Sequence, residues 1–506
     1  MLRDGTCVLE QYWQPWVASD RPLVYSVSKT FTATAVGLAI GEGRFGLADR
    51  VVDLLPEAAS DDPDVAGITV HHLLSMSTGH TDDTLLVMME RQPEEWARAF
   101  LSIRPERPVG SWHVYNNGAS FLLGELVRRH TGEDLLDYLR PRVLEPLGID
   151  ATWDRDPLGR CLGWSGLHVD LRGLAALGEL LRCDGVWQGR RLLPEGWVAR
   201  ATANHIPTIS DGADWNHGYG YQVWMGREGF RLDGAYGQFA FVLPERGLVV
   251  AVQSAQLDTQ CLIDTVWAHL DELPEEPLPD EQTDALRDAA GSFLAVSSSG
   301  SVASTGEDLA PSTFPEEPAR NEGALSTVPE ERAGEERTWP RHEGAAVTTS
   351  LEGATALPVP ADSGAGSSWS TAGRVPTDPA LFSPGDEVGP PADVADPTAT
   401  RTADGFRLTL VAEGRPVELT AVPGRWARQS LAVPGEATAE NAAPSDAEVP
   451  VAVAAGVDAA GDLHVHLVFT DTPHTLRLRL GADGTAAQGW SVNPLQGPSL
   501  ANMRAH

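Results

Sequence analysis

The sequence predicts an α+β globular unit over residues 1–273, a mostly disordered linker over 274–400 and a small antiparallel β domain over 401–500. Three observations predict this arrangement. Strand-like stretches stand at both ends of the first unit with helical patterns between them, which reads as one mixed sheet assembled from both chain ends around an inserted helical lobe. The composition then shifts to Pro, Ala, Gly, Ser, Glu and Asp with few aromatics, as in Pro274-Glu275-Glu276-Pro277. Such a segment cannot bury enough apolar surface to offset its ordering entropy. Period-two alternation returns from about residue 401.

Taken in order, Asp4-Gly5 marks a hairpin turn that leads into a strand over 6–12. Met1 to Gly5 lacks the character of a signal peptide and opens inside a hairpin, so the chain reads as cytoplasmic with an incomplete N-terminus. Apolar residues at helical spacing predict helices over 30–42, 118–130 (closed by Thr131-Gly132), 174–183 and 262–270. Strands are expected over 220–225, 239–243 and 248–254, and a short helix over 285–296. In the last domain Phe406, Leu408 and Leu410 share one strand face, as do Leu463, Val465, Leu467 and Phe469. After the turn Asp471-Thr472-Pro473 the pattern repeats at Leu476, Leu478 and Leu480, and a low-complexity patch lies near 435–448. His464, His466 and His474 are expected on the wet face of this hairpin rather than around a metal.

The formal net charge of −34 excludes a nucleic-acid binder and an anionic-membrane binder, both of which need a basic face. Cys7, Cys161, Cys183 and Cys261 have no metal-type spacing and read as isolated buried thiols. No run approaches 18 apolar residues, so no membrane span is expected, and no metal or cofactor is implied.

The chemistry centres on Lys29, the single lysine among 37 basic residues. It lies three residues after Ser26 at the start of a predicted helix. For one lysine, a serine at that spacing arises by chance about once in fifteen. Arginine stays charged in proteins, whereas a buried lysine can lose its proton. A neutral amine one helical turn from a serine hydroxyl can serve as its base. Ahead of the second helix stands Tyr115-Asn116-Asn117, where Tyr115 could relay protons and Asn117 could hold the lysine and a substrate carbonyl. Ahead of a late strand stands Gly234-Ala235-Tyr236-Gly237-Gln238, whose glycines permit the close backbone approach that an oxyanion hole requires. Trp112, His113, Trp215, His217, Tyr219 and Tyr236 are candidate pocket-lining residues.

In this order the three elements resemble the penicillin-recognising serine hydrolases, the superfamily of class C β-lactamases, D-aminopeptidases and esterases. His71-His72-Leu73-Leu74-Ser75-Met76-Ser77-Thr78-Gly79-His80, Pro146-Leu147-Gly148-Ile149 and Leu192-Leu193-Pro194-Glu195 extend the likeness over residues 1–272. The resemblance implies a β-lactamase/transpeptidase-like fold, an antiparallel sheet flanked by helices plus an inserted helical lobe. It implies Ser26 as acylated nucleophile, Lys29 and Tyr115 as the acid/base pair, and Asn117 as the second residue of Tyr-x-Asn. The Ser26 and Ala235 amides would form the oxyanion hole, with Gly234, Gly237 and Gln238 around it. Where relatives place Lys-Thr-Gly or His-x-Gly, this chain has Leu232-Asp233-Gly234, with no cation at the first position and Arg231 adjacent. That departure, with the Gly-x-x-Gly-Gln form, is similar to the esterase and 6-aminohexanoate-dimer hydrolase branch. It favours a small ester or amide substrate over a β-lactam or peptidoglycan peptide. A non-catalytic binding protein on the same fold is the alternative from another class. Relatives also carry a helix and part of a strand ahead of the residue equivalent to Leu2, and the last domain resembles the small lipocalin-like barrel appended to some of these hydrolases. That domain would cover the active-site mouth or bind a partner.

Overall fold

The computed structural model describes residues 1–270 apart from 59, 61 and 211, the short strands 348–350 and 368–370, and 394–503 apart from 413, 423–424, 435–445, 493 and 496–499. The first unit is a six-stranded sheet whose strands come from both ends of the segment. β1 (Leu2–Arg3) and β2 (Thr6–Cys7) are joined to β3 (Trp224–Met225), β4 (Phe230–Gly234), β5 (Gln238–Leu243) and β6 (Leu248–Val252) in the order β2-β1-β6-β5-β4-β3. Every pairing is antiparallel, so the mixed sheet expected from the pattern alone is corrected to the antiparallel one.

β5 is buried at all six positions, because helices cover both faces of the sheet. Ala240 and Val242 face the main core, where α3 (Leu171–Arg182) lies close enough that a Cβ on Gly178 would stand 2.9 Å from Val249. Phe239 and Phe241 point the other way, onto Ile263 of α4 (Thr259–Leu270). The helical lobe is held by α1 (Ser28–Gly41), buried continuously from Ser28 to Ala39, and by α2 (Asn117–Thr131). Asn116 caps α2 by accepting from the Ala119 amide, and Gly132 ends it in the left-handed conformation at φ 82°.

Two predicted strands are shorter than expected. The 6–12 strand breaks after Cys7, because the Val8 and Leu9 amides turn back to the Met1 carbonyl. Of 220–225 only Trp224 and Met225 join the sheet, because the Tyr221 amide donates to Ala201 and the Gln222 amide to Leu74. The four cysteines are free thiols, but only Cys161 is buried, and Cys261 is exposed.

The C-terminal domain is built of two antiparallel sheets. It comprises a four-stranded sheet (368–370, 394–401, 406–412, 415–421) and a five-stranded sheet (427–434, 446–457, 463–469, 475–480, 486–490). The strands 348–350, 368–370 and 394–400 thus fall within the stretch read as linker, whereas the helix expected over 285–296 lies outside the described residues. The inward residues follow the predicted alternation: Phe406, Leu408, Leu410, Leu463, Val465, Leu467, Leu476, Leu478 and Leu480 join one apolar core with Trp490. This domain docks on the segment just ahead of α1. Arg428 pairs with Asp20 and donates to the Pro15 carbonyl at 2.8 Å, and the Leu23 amide donates to the Asp471 carbonyl at 2.8 Å.

Gly37 in α1 faces Trp197, where an added Cβ would lie 2.2 Å from the indole. Alanine would gain about 1 kcal/mol in helix propensity, whereas overpacking a filled site costs about 1–3 kcal/mol. Gly37→Ala is therefore expected to lower the urea midpoint despite the better helix former, and a raised midpoint would show that the Trp197 contact yields easily.

Candidate active site

The site is built on the turn that feeds α1. Tyr25–Val27 form a single 3₁₀ turn, and Tyr25 is held at φ 47°, a conformation costly for a bulky residue. Neighbouring groups impose it. The Val24 amide donates to the Leu167 carbonyl at 2.9 Å, and Ser28 Oγ donates to the Tyr25 carbonyl at 2.6 Å while accepting from the Leu167 amide at 3.0 Å. Ser26 thereby sits half-buried at the lip of an otherwise buried helix.

Lys29 is one turn on and 1% exposed. Its Nζ donates to Ser26 Oγ at 2.9 Å and to the Trp164 carbonyl at 2.8 Å. Burial pulls its pKa down to about 7, against the opposing influence of the Asp83 and Asp233 carboxylates. The amine is therefore available as a neutral base near neutrality. Its Nζ also lies 4.6 Å from the centre of the Tyr115 ring. Burial raises the pKa of the Tyr115 hydroxyl, against the opposing influence of Ser26, so it remains a phenol and can pass on a proton without existing as phenolate.

The Tyr115 loop is held from beneath by the 71–80 stretch. The Val114 amide donates to the Met76 carbonyl at 3.1 Å, and the Asn116 amide approaches Met76 Sδ at 3.3 Å. Behind the ring, Trp224 stacks on Tyr115 at 5.8 Å, and Tyr219 meets it edge-on at 6.4 Å. Tyr219 also packs against His113, whose pKa burial lowers to about 4, leaving a neutral imidazole. Of the other lining candidates, Trp112 lies under the Arg107 guanidinium and His217 is largely exposed.

Asn117 opens α2 with both of its nitrogens engaged. Its amide nitrogens donate to the two carboxylate oxygens of Asp83, at 2.9 Å from the backbone and 2.6 Å from the side chain. Asp83, which residue-type reasoning passed over, therefore sits between Asn117 and the Lys29 field. Gln222, also missed, ties the lobe together. It takes a hydrogen bond from Ser120 at 2.6 Å and donates to the Leu73 and Leu74 carbonyls, while its own carbonyl accepts from Thr30 on α1. A buried glutamine at positive φ carries no sequence signature that separates it from an ordinary turn residue.

The β4–β5 turn completes the lip. A Cβ on Gly234 would fall 2.3 Å from the Val24 carbonyl, so glycine is what lets the end of β4 reach the nucleophile turn. Ala235 and Tyr236 follow, partly exposed, with Tyr236 at φ 63° and Gly237 at φ 85°. A Cβ on Gly237 would meet Ser254 Oγ at 2.3 Å. Gln238 is fully buried and donates to the Ser254 carbonyl, which gives it a turn-bracing position rather than one facing the site. At the position where the resemblance leads one to expect a cation stands Leu232; next to it Asp233 accepts from Trp215 Nε1 at 2.9 Å and pairs with Arg231 at 2.8 Å. Arg231 is 1% exposed and boxed by Trp215, Phe239 and Phe241, so its guanidinium cannot swing out to the site. Burial pushes the Asp233 carboxyl above the usual range, and in either protonation state it offers no positive charge. Among the described residues no three His, Cys, Asp or Glu side chains converge as a metal site needs, and no helix is long and apolar enough to cross a membrane.

The sequence model of the Beta-lactamase family matches residues 1–268. The chain is 27% identical over 221 residues to the 6-aminohexanoate-dimer hydrolase of Paenarthrobacter ureafaciens, covering 40% of this chain and 56% of that protein. It is 27% identical over 280 residues to penicillin-binding protein 4 of Amycolatopsis lactamdurans, covering 45% and 70% respectively. With the D-aminopeptidase of Brucella anthropi the figures are 27% over 184 residues, 33% and 34%. The chain thus spans little more than half the length of the first of these relatives and a third of the last. Among solved structures, the D-amino acid amidase from Ochrobactrum anthropi SV3 superposes with a TM-score of 0.41 at 19% identity, covering 51% of this chain and 88% of that one.

The Lys29 environment sets an expected pH profile. If the neutral amine serves as base to Ser26, kcat/KM should fall about tenfold per pH unit below about 7 and level off above it. Lys29→Arg keeps the charge but cannot deprotonate, and should lower kcat by about 10²–10⁴-fold. Full turnover in that variant would remove Lys29 from the base role.

Proposed function

The chain belongs to the Beta-lactamase family, and we propose that within it this protein is a serine hydrolase that cleaves small esters or amides through an acyl-enzyme on Ser26. The observation that carries the reading is the 2.9 Å contact between Lys29 Nζ and Ser26 Oγ, made by an amine whose burial frees it of its proton near neutrality.

In the proposed cycle the substrate carbonyl oxygen sits between the Ser26 and Ala235 amides. Ser26 Oγ attacks the carbonyl carbon while its proton passes to Lys29 Nζ. The tetrahedral intermediate collapses as a proton moves from Lys29, by way of the Tyr115 hydroxyl, to the leaving alcohol or amine. Water then attacks the acyl-enzyme, giving its proton to the same relay, and the acid product leaves with Ser26 restored. Tyr115 serves only as a relay, in keeping with its raised pKa.

The charge around the site supports a neutral substrate. A carboxylate-bearing β-lactam or D,D-peptide would find Leu232 where a cation is wanted, with the Asp233 carboxyl next to it and Arg231 locked in its pair with Asp233. Asp83 adds a further acidic group within the field of Lys29. The exposed apolar residues Leu86, Val87 and Met89 follow Asp83 in the chain, which suits an uncharged, partly apolar substrate.

Intact-mass analysis after exposure to a fluorophosphonate should show one adduct on the wild-type chain and none on Ser26→Ala. A folded wild-type protein that takes no adduct would point to a non-catalytic binding protein. Turnover of p-nitrophenyl butyrate should exceed that of a cephalosporin by at least about 10²-fold, the discrimination expected when a buried polar group is left unpaired. Rapid cephalosporin hydrolysis would restore the β-lactamase reading.

A further inference from the structure

The histidine expected on a wet strand face is the most deeply buried imidazole of the C-terminal domain. His464 and His466 do alternate outward along their strand, but His474 is 0% exposed. It lies at the end of the turn joining strands 463–469 and 475–480, where Thr470 and Thr472 are buried as well. A turn between two strands ordinarily belongs to water. This one is covered by the catalytic domain: the Asp471 carbonyl accepts from the Leu23 amide at 2.8 Å, and His474 Nε2 shares a 2.7 Å hydrogen bond with the Tyr25 hydroxyl.

Three rings meet there edge to face. Tyr25 and Tyr236 lie 5.5 Å apart, His474 is 6.2 Å from Tyr25 and 5.7 Å from Tyr236, and Trp490 backs His474 at 6.1 Å from within its own domain. The two tyrosines are the immediate chain neighbours of the two residues that matter most. Tyr25 precedes Ser26 and Tyr236 follows Ala235. Both are held at positive φ, 47° and 63°, which bulky side chains adopt only when their surroundings impose it. His474 touches both of those strained residues.

We propose that His474 is a positioning residue through which the C-terminal β domain sets the distance between the Ser26 and Ala235 amides, and hence the fit of the oxyanion hole. The inference rests on the reading above, in which those two amides hold the developing oxyanion. The role is confined to the transition state: a ground-state ester needs only loose contact with the amides, whereas the tetrahedral oxyanion needs both at once.

The test uses the full-length chain. His474→Ala should lower kcat for p-nitrophenyl butyrate by about 10- to 100-fold, less than outright loss of an oxyanion donor, with KM changed by less than about twofold. Binding of phenylboronic acid, whose serine adduct copies the tetrahedral geometry, should weaken by a similar factor. His474→Gln, which can still bond the Tyr25 hydroxyl, should recover part of the loss. A folded His474→Ala protein with wild-type kcat, or one in which KM alone rises, would overturn the proposal. If His474→Ala does not fold, Tyr25→Phe decides by the same criteria, since it keeps the ring and removes only the shared bond. Fluorophosphonate labelling of the wild type separates the two levels: absence of a Ser26 adduct sinks the hydrolase reading, whereas a labelled wild type with an unaltered His474→Ala sinks only the positioning role.

Discussion

A lysine that is denied water holds its proton weakly, and the rest of this structure is arranged around that constraint. Stripping an ammonium of hydration is costly unless it is paired or neutralised. Among the described residues, Lys29 Nζ has a serine hydroxyl and a main-chain carbonyl as its hydrogen-bond partners, beside the Tyr115 ring. The two carboxylates that act on it, Asp83 and Asp233, are themselves bonded to Asn117 and to Arg231 with Trp215. The amine therefore feels negative charge without being pinned by a salt bridge, which would have fixed it as ammonium. An α1 buried without interruption for three turns, and glycines where Trp197 and Pro194 press on it, are what keep water away.

The contact between Ser26 and Lys29, the proposed nucleophile and base, was legible in the sequence because the two stand one helical turn apart. A three-residue spacing becomes a contact as soon as the helix forms. The Tyr115 and Gly234 elements were legible as punctuation, a loop before a helix and glycines before a strand, although only the resemblance said that they converge. What was not legible depends on the main chain or on distance. The carbonyl of Trp164 that orients Lys29 belongs to no residue type, and Gln222 joins segments through three backbone carbonyls and one serine. The Asp83 carboxylate that takes both nitrogens of Asn117 lies 34 residues ahead of it in the chain, with no spacing to announce the pair. His474 defeated the pattern because alternation governs strands, and this residue stands where a strand has ended.

Charge explains the departures more economically than loss of function does. An enzyme that binds an anionic substrate needs a mobile or exposed cation beside its serine. This chain keeps an arginine at the neighbouring position but seals it behind aromatic rings and neutralises it with Asp233. The overall charge of −34 works in the same direction, since a strongly acidic surface repels anionic substrates at a distance as Asp233 does at contact.

The contact between residues 25 and 474 spans 449 positions of the chain, and β1 pairs with β6 across nearly the whole first unit, Leu2 against Val249. Closing such loops is slow compared with forming local helices. On a ribosome, Ser26 and Lys29 are made three residues apart, whereas the histidine that meets the tyrosine beside that serine is made 449 residues after that tyrosine. Translation thus acts as a clock: one helical turn brings serine and lysine together, the sheet waits for Val249 to join Leu2, and the Tyr25 turn acquires its contact with the β domain later still.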